Sequence, residues 1–141
     1  MNVSRSEFVE VNGVRLHVRR WGAADAPILF MLHGWMDVAA SFQFVVDALG
    51  GNWQVIAPDM RGFGLSDWPV ADQGGGNYWF YDYLADLDGL LAHYAPQGEV
   101  NLVGHSMGAN ISCLYAGARP ERVRRVVDLE GFGMPAPPVA Q

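Results

Sequence analysis

The stretch Val103-Gly104-His105-Ser106-Met107-Gly108-Ala109 decides how this chain is read. The run Val100-Asn101-Leu102-Val103 leads into it and reads as a strand. The small-residue segment from Met107 to Ala118 leaves it and reads as a helix. Gly-x-Ser-x-Gly between a strand and a helix is the pattern of a nucleophile elbow. So sharp a turn forces the central serine into a strained backbone conformation, tolerable only where the residues two away lack side chains. Gly104 and Gly108 meet that demand. The serine hydroxyl is then presented above a sheet, beside the free N–H groups of a helix amino terminus.

Outward from this centre, the rest of the chain alternates. Ile28-Leu29-Phe30-Met31-Leu32 is apolar at every position, as in a strand buried on both faces. Ala39 to Leu49 can form a helix with Phe42, Val45, Val46 and Leu49 on one face. Val55-Ile56-Ala57 is a second buried strand, ended by Pro58-Asp59. From Tyr81 to Tyr94, Leu84, Leu87, Leu91 and Tyr94 share one helical face, and Asp82, Asp86 and His93 take the other. Val123 to Leu129 closes the series as a strand. Strand, helix, strand, helix, strand, helix, strand predicts a mostly parallel α/β sheet with helices on both faces. Ahead of it, Phe8–Val11 and Val14–Val18 flank Asn12-Gly13, whose positive φ values suit a two-residue hairpin turn, so an antiparallel amino-terminal hairpin is expected.

Two further stretches fall at strand ends. His33-Gly34-Trp35-Met36 follows the Ile28–Leu32 strand, at the carboxyl edge where open α/β sheets bind ligands. An oxyanion needs two convergent donors about 3 Å away. The backbone N–H groups of Met107 and Trp35 are the candidates, with Gly34 allowing close backbone approach. Asp59-Met60-Arg61-Gly62-Phe63-Gly64-Leu65-Ser66-Asp67 follows the next strand. His-Gly-Trp, Asp-x-Arg-Gly-x-Gly-x-Ser and Gly-His-Ser-Met-Gly, in this order, resemble the amino-terminal half of an α/β-hydrolase. The likeness runs from about Phe8 to Gly131 and is similar to the serine-hydrolase-like branch. It implies that Asp59 and Arg61 brace the loop beside the active site, as an Asp–Arg staple, rather than react. It also narrows the chemistry. Dehalogenases and epoxide hydrolases of the superfamily place Asp at the elbow, whereas Ser106 favours acyl substrates such as esters, thioesters or amides, or activated carbon–carbon bonds.

The other candidates read as structural. His105 points away from the nucleophile and is expected to pack or hydrogen-bond, and His33 lies beside the site in a supporting role. His17 and His93 suit a hairpin and a polar helix face, and Cys113 a small core position. Trp68, Tyr78 and Trp79 read as aromatic packing, with the lining of a substrate entrance as the alternative.

The triad of this fold runs Ser, then Asp or Glu, then His along the chain. No histidine follows Ser106. Asp128 and Glu130 close the last strand, where some members of the superfamily carry their acid, though most use the next strand. The resemblance therefore implies the amino-terminal part of a core domain over residues 1–133. Residues 134–141, rich in Pro and Ala, would begin an absent cap. Two functions stay open: a serine hydrolase whose general base lies elsewhere, or an inactive half-domain that needs a second chain or a continuation.

Composition bounds the partners. The chain has 141 residues, half of them apolar, and a net charge of −6 with nine Arg and no Lys. Such a balance lacks the basic footprint of a nucleic-acid binder. No apolar run reaches the ~18 residues of a membrane span. One cysteine and no signal-peptide pattern lead to a cytoplasmic expectation. No cofactor or metal is called for. A small-molecule acyl substrate and self-association through an exposed sheet edge are the expected partners.

Overall fold

A computed structural model describes residues 1–70 and 77–131. The Gly74–Gly76 loop, the tail from Met134 to Gln141 and the boundary between them and the core lie outside those residues. Strands β1 (Arg5–Val11) and β2 (Val14–Trp21) form the hairpin, and Asn12 and Gly13 take φ of 50° and 73° at its turn. Then come β3 (Ile28–Leu32), α1 (Gln43–Ala48), β4 (Gln54–Pro58), α2 (Phe80–Tyr94), β5 (Val100–His105), α3 (Met107–Ala118) and β6 (Val123–Leu129). They make a six-stranded sheet in the order β1-β2-β4-β3-β5-β6. β1–β2 and β2–β4 pair antiparallel, and the other three pairs are parallel.

The fully apolar strands are covered on both faces. Phe30, Leu32 and Ile56 pack into one core with Leu87, Leu90 and Leu91 of α2 and Ile111 and Tyr115 of α3. Leu29, Met31, Val55 and Ala57 point the other way, onto Trp21, Ala39, Phe42 and Val46. Each such side chain removed from water contributes about 2 kcal/mol, so these strands fix the sheet. β5 departs from this pattern. Val100 and Leu102 are buried, but Asn101, Val103 and His105 are only half-buried, because among the described residues little packs on that face.

Two expectations at the helices are corrected. Ala39–Phe42 is a 3-10 turn and α1 spans only six residues after it. The tighter turn shifts the phase, so Phe42 and Val46 are buried while Val45 and Leu49 stay exposed. Asp86, assigned to the polar face of α2, is buried with Arg61.

Chain order and strand order reverse between β3 and β5. From β3 the sheet runs to β4 on one side, and from β5 to β6 on the other. The carboxyl ends of β3 and β5 therefore flank the topological switch point, where ligands of open α/β sheets bind.

Candidate functional site

Ser106 stands at that point, between the last residue of β5 and the first of α3. Its φ of 50° and ψ of −113° lie outside the left-handed helical well that asparagine or aspartate can tolerate. The turn closes by backbone contact. A Cβ on Gly104 would lie 2.4 Å from the Ala109 nitrogen, and one on Gly108 would lie 2.2 Å from the Leu32 oxygen. The Ser106 amide donates to Leu129 O at 2.8 Å, and its carbonyl accepts from Ala109 and Asn110. Met107 opens α3, so its N–H is among the donors that a helix start leaves without an intrahelical acceptor.

The loop after β3 reaches the same spot. A Cβ on Gly34 would come within 3.3 Å of Ser106 Cβ and 2.9 Å of His105 Nδ1. His33 is fully buried, and its two ring nitrogens set this loop. The Met60 amide donates to Nε2 at 2.9 Å, and Nδ1 donates to Gly34 O at 2.8 Å. An acceptor at Nε2 requires the neutral imidazole with its proton on Nδ1. Burial, opposed by the Gly34 carbonyl and by Asp59, lowers the pKa of His33 and favours the same state. The Gly34–Trp35 peptide is trans, so the Trp35 N–H points opposite to the carbonyl that His33 holds. Met36 follows at φ 56°, a left-handed residue that its sequence does not announce.

Asp59 and Arg61 do brace the neighbouring loop, but through separate partners rather than as one staple. Asp59 Oδ1 accepts from the Ala39 amide at 2.7 Å, and Oδ2 accepts from the Leu65 amide and lies 2.8 Å from His17 Nδ1. Arg61 grips Asp86 with two donors, each at 2.6 Å, and has Asp82 at 3.4 Å. His17 is thereby a buried brace between β2 and this loop. No signal in the sequence announces this, because Val14, Leu16 and Val18 alternate regularly with Arg15, His17 and Arg19, yet Leu16, His17 and Val18 are all buried.

The two acidic candidates differ. Asp128 Oδ1 accepts from the Gly131 amide at 2.6 Å, and Oδ2 faces Cys113 Sγ at 3.7 Å. Cys113 is exposed there, not a core residue, because it sits on the side of α3 next to the open edge strand. Glu130 stands past the end of β6 at φ 59°, with its side chain 81% exposed and Oε2 3.9 Å from His105 Nε2. Among the described residues, no side chain accepts from the Ser106 hydroxyl.

Beside the loop after β3 opens a cleft of about 500 Å³, walled by Trp35, Met36 and Val38 and by Trp68, Tyr78 and Tyr83. Trp68 is 68% exposed and lines it with Tyr78, which corrects the expectation that these rings pack internally; Trp79 is equally exposed. Phe63 sits edge-on against both His33 and Trp35, with ring centroids 5.3 Å away in each case. Among the described residues, no helix is long and apolar enough to cross a membrane.

A strained serine between two mutually packed glycines, at the switch point of such a sheet, is the arrangement of one fold family. The chain belongs to it: residues 27–140 match the family model described as the alpha/beta hydrolase fold. It is 34% identical to epoxide hydrolase A of Mycobacterium tuberculosis, over all of this chain and 42% of that protein. It is 31% identical to a serine hydrolase-like protein of Danio rerio, over 94% of this chain and 40% of that one. Among solved structures, the thioesterase domain from the curacin biosynthetic pathway superposes with a TM-score of 0.84 at 27% identity, covering 98% of this chain and 50% of that one. The chain thus spans about 40% of the length of the curated relatives it matches.

Proposed function

We propose that this chain carries the nucleophile and oxyanion-stabilising half of a serine hydrolase acting on an ester or related acyl substrate. The observation that supports it is the conformation of Ser106, held off any ordinary basin by the Gly104 and Gly108 contacts. In this reading Ser106 Oγ attacks the acyl carbon, and the Met107 and Trp35 amides receive the developing oxyanion. The relatives named epoxide hydrolases share the fold. A neutral hydroxyl at the elbow, in place of an aspartate, favours acyl transfer here.

The base comes from outside this chain. His33 is held neutral by two hydrogen bonds, and His17 is tied to Asp59. His93 lies exposed on α2, and His105 lies between Gly34 and Glu130. For the acid, Glu130 is favoured over Asp128. Its carboxylate has no backbone partner among the described residues, whereas Asp128 is committed to the Gly131 turn. A half-domain that gains activity only with a further segment or chain fits the same geometry.

Fluorophosphonate labelling followed by peptide mass mapping tests this. Slow labelling confined to Ser106 and abolished by Ser106→Ala is expected. Labelling that survives Ser106→Ala, or that never reaches Ser106, overturns it.

A further inference from the structure

We infer that the cleft beside Trp35 receives a cationic, alkylammonium-type group, so that the substrate of this site carries a positive charge near its acyl bond. Three observations converge. Five aromatic rings line the cleft, supplied by the loop after β3, the loop after β4, the segment before α2 and the first turn of α2 itself. Trp35 and Trp68 are 62% and 68% exposed, so their rings are open to a ligand in the cleft. The ring faces of Trp and Tyr attract cations and offer an anion nothing.

The second observation is charge. Among the described residues, Asp37 is the one carboxylate that lines the cleft, and no Arg lines it. Asp37 Oδ1 accepts from the Val38 amide at 2.8 Å and the Ser41 hydroxyl at 2.6 Å, while Oδ2 has no partner among the described residues. The nearby Arg61 is outnumbered by Asp82 and Asp86, which both pair with it. Burial raises the Tyr83 phenol to about 12, so its ring stays neutral. An acyl group bearing carboxylate or phosphate would find no basic side chain among the described lining residues.

Third, the cleft is shaped by glycine. Gly62 takes φ +78°, and a Cβ there would lie 2.5 Å from the Tyr78 ring. Tyr78 is pinned in turn by its hydroxyl to Pro69 O at 3.0 Å. The ring is thus held on the cleft wall rather than being free to swing away. Trp35 joins the cleft to the nucleophile, because its ring forms one wall and its neighbour Gly34 abuts Ser106.

Calling the ligand a substrate rests on the hydrolase reading above, but binding is measured without it. The full chain, labelled with nitrogen-15, is titrated with choline and with 3,3-dimethylbutan-1-ol, which has the same shape and no charge. Choline should saturate, shift the indole N–H signals of Trp35 and Trp68, and bind about fivefold or more tightly than the alcohol. Asp37→Asn, which keeps Oδ1 for the loop, should bring that ratio toward one, and Trp68→Ala should abolish the preference. Equal affinities, tighter binding of the alcohol, or no saturable binding of either would overturn the inference. If Trp68→Ala fails to fold, the ratio for the unaltered chain still decides. Ser106→Ala should bind choline unchanged, so failure of the hydrolase reading is seen separately, in the labelling.

Discussion

A β-carbon on Gly108 would stand 2.2 Å from the carbonyl oxygen of Leu32, so the first turn of α3 is seated directly on the end of β3. That contact brings the loop of His33 and Gly34 against Ser106. Replacing Gly108 or Gly104 by Ala must push backbone against backbone, and each change should destabilise by about 3 kcal/mol. Gly117, late in α3 with open space around it, provides the control, since Gly117→Ala should stabilise by about 0.5–1 kcal/mol. Urea unfolding of the three variants checks the contrast.

Arg61 and Asp86 are both nearly inaccessible and joined by two hydrogen bonds. Asp86→Ala leaves a buried guanidinium with only the more exposed Asp82 as counter-charge, beside the Asn77 carbonyl, and should cost about 3 kcal/mol. Asp82→Ala should cost no more than about 1 kcal/mol. Replacing the buried pair together, by Arg61→Met with Asp86→Leu, should cost less than Asp86→Ala alone. Denaturation midpoints rank the three.

His33 binds its proton less readily in the folded chain than when unfolded, mainly through burial. The unfolded chain therefore takes up more protons below the ordinary histidine value of 6.5, and stability rises with pH across that window. The contribution of His33 is fully present above 6.5 and is lost as pH falls toward its folded pKa. Melting temperatures between pH 8 and pH 5 should fall more steeply for the unaltered chain than for His33→Gln. Parallel curves would contradict this assignment.

Activity in the 141-residue chain should be small. Without a base the serine hydroxyl stays un-ionised, and the oxyanion donors and binding supply about 10³–10⁴ over water. Hydrolysis of p-nitrophenyl acetate should stay within that range, fall to background in Ser106→Ala, and be unaffected by His105→Ala. A sharp loss in His105→Ala would make that histidine the base.

Among the described residues β6 pairs with β5 alone, and its Val127 and Leu129 are exposed. An open edge carrying apolar side chains is a template for pairing with another chain. Sedimentation should reveal concentration-dependent self-association that Val127→Lys reduces.

Much of the fold was legible because local pattern and burial coincide. The run Ile28–Leu32 is apolar throughout, and it lies between two cores. Asn12-Gly13 writes its own turn through its positive φ values, and Gly104-x-Ser106-x-Gly108 writes the elbow, where only residues lacking Cβ fit at the two glycines. What pattern could not supply were relations between distant segments. Asp86 has helical spacing that sends it to solvent, yet Arg61, 25 residues earlier, draws it inside. His17 looked incidental in a hairpin and is bound to Asp59 across 42 residues. Trp68 and Tyr78 became a cleft wall only when their loops met Trp35 at the end of β3. Asp128 and Glu130 are two residues apart, and the sequence offers no reason to separate them. The tertiary structure does, because the turn at Gly131 closes on one carboxylate and leaves the other beside His105. Steric demands of single residues are local and so are written in the chain. The pairing of buried charges and the lining of a cleft depend on which segments the sheet order brings together.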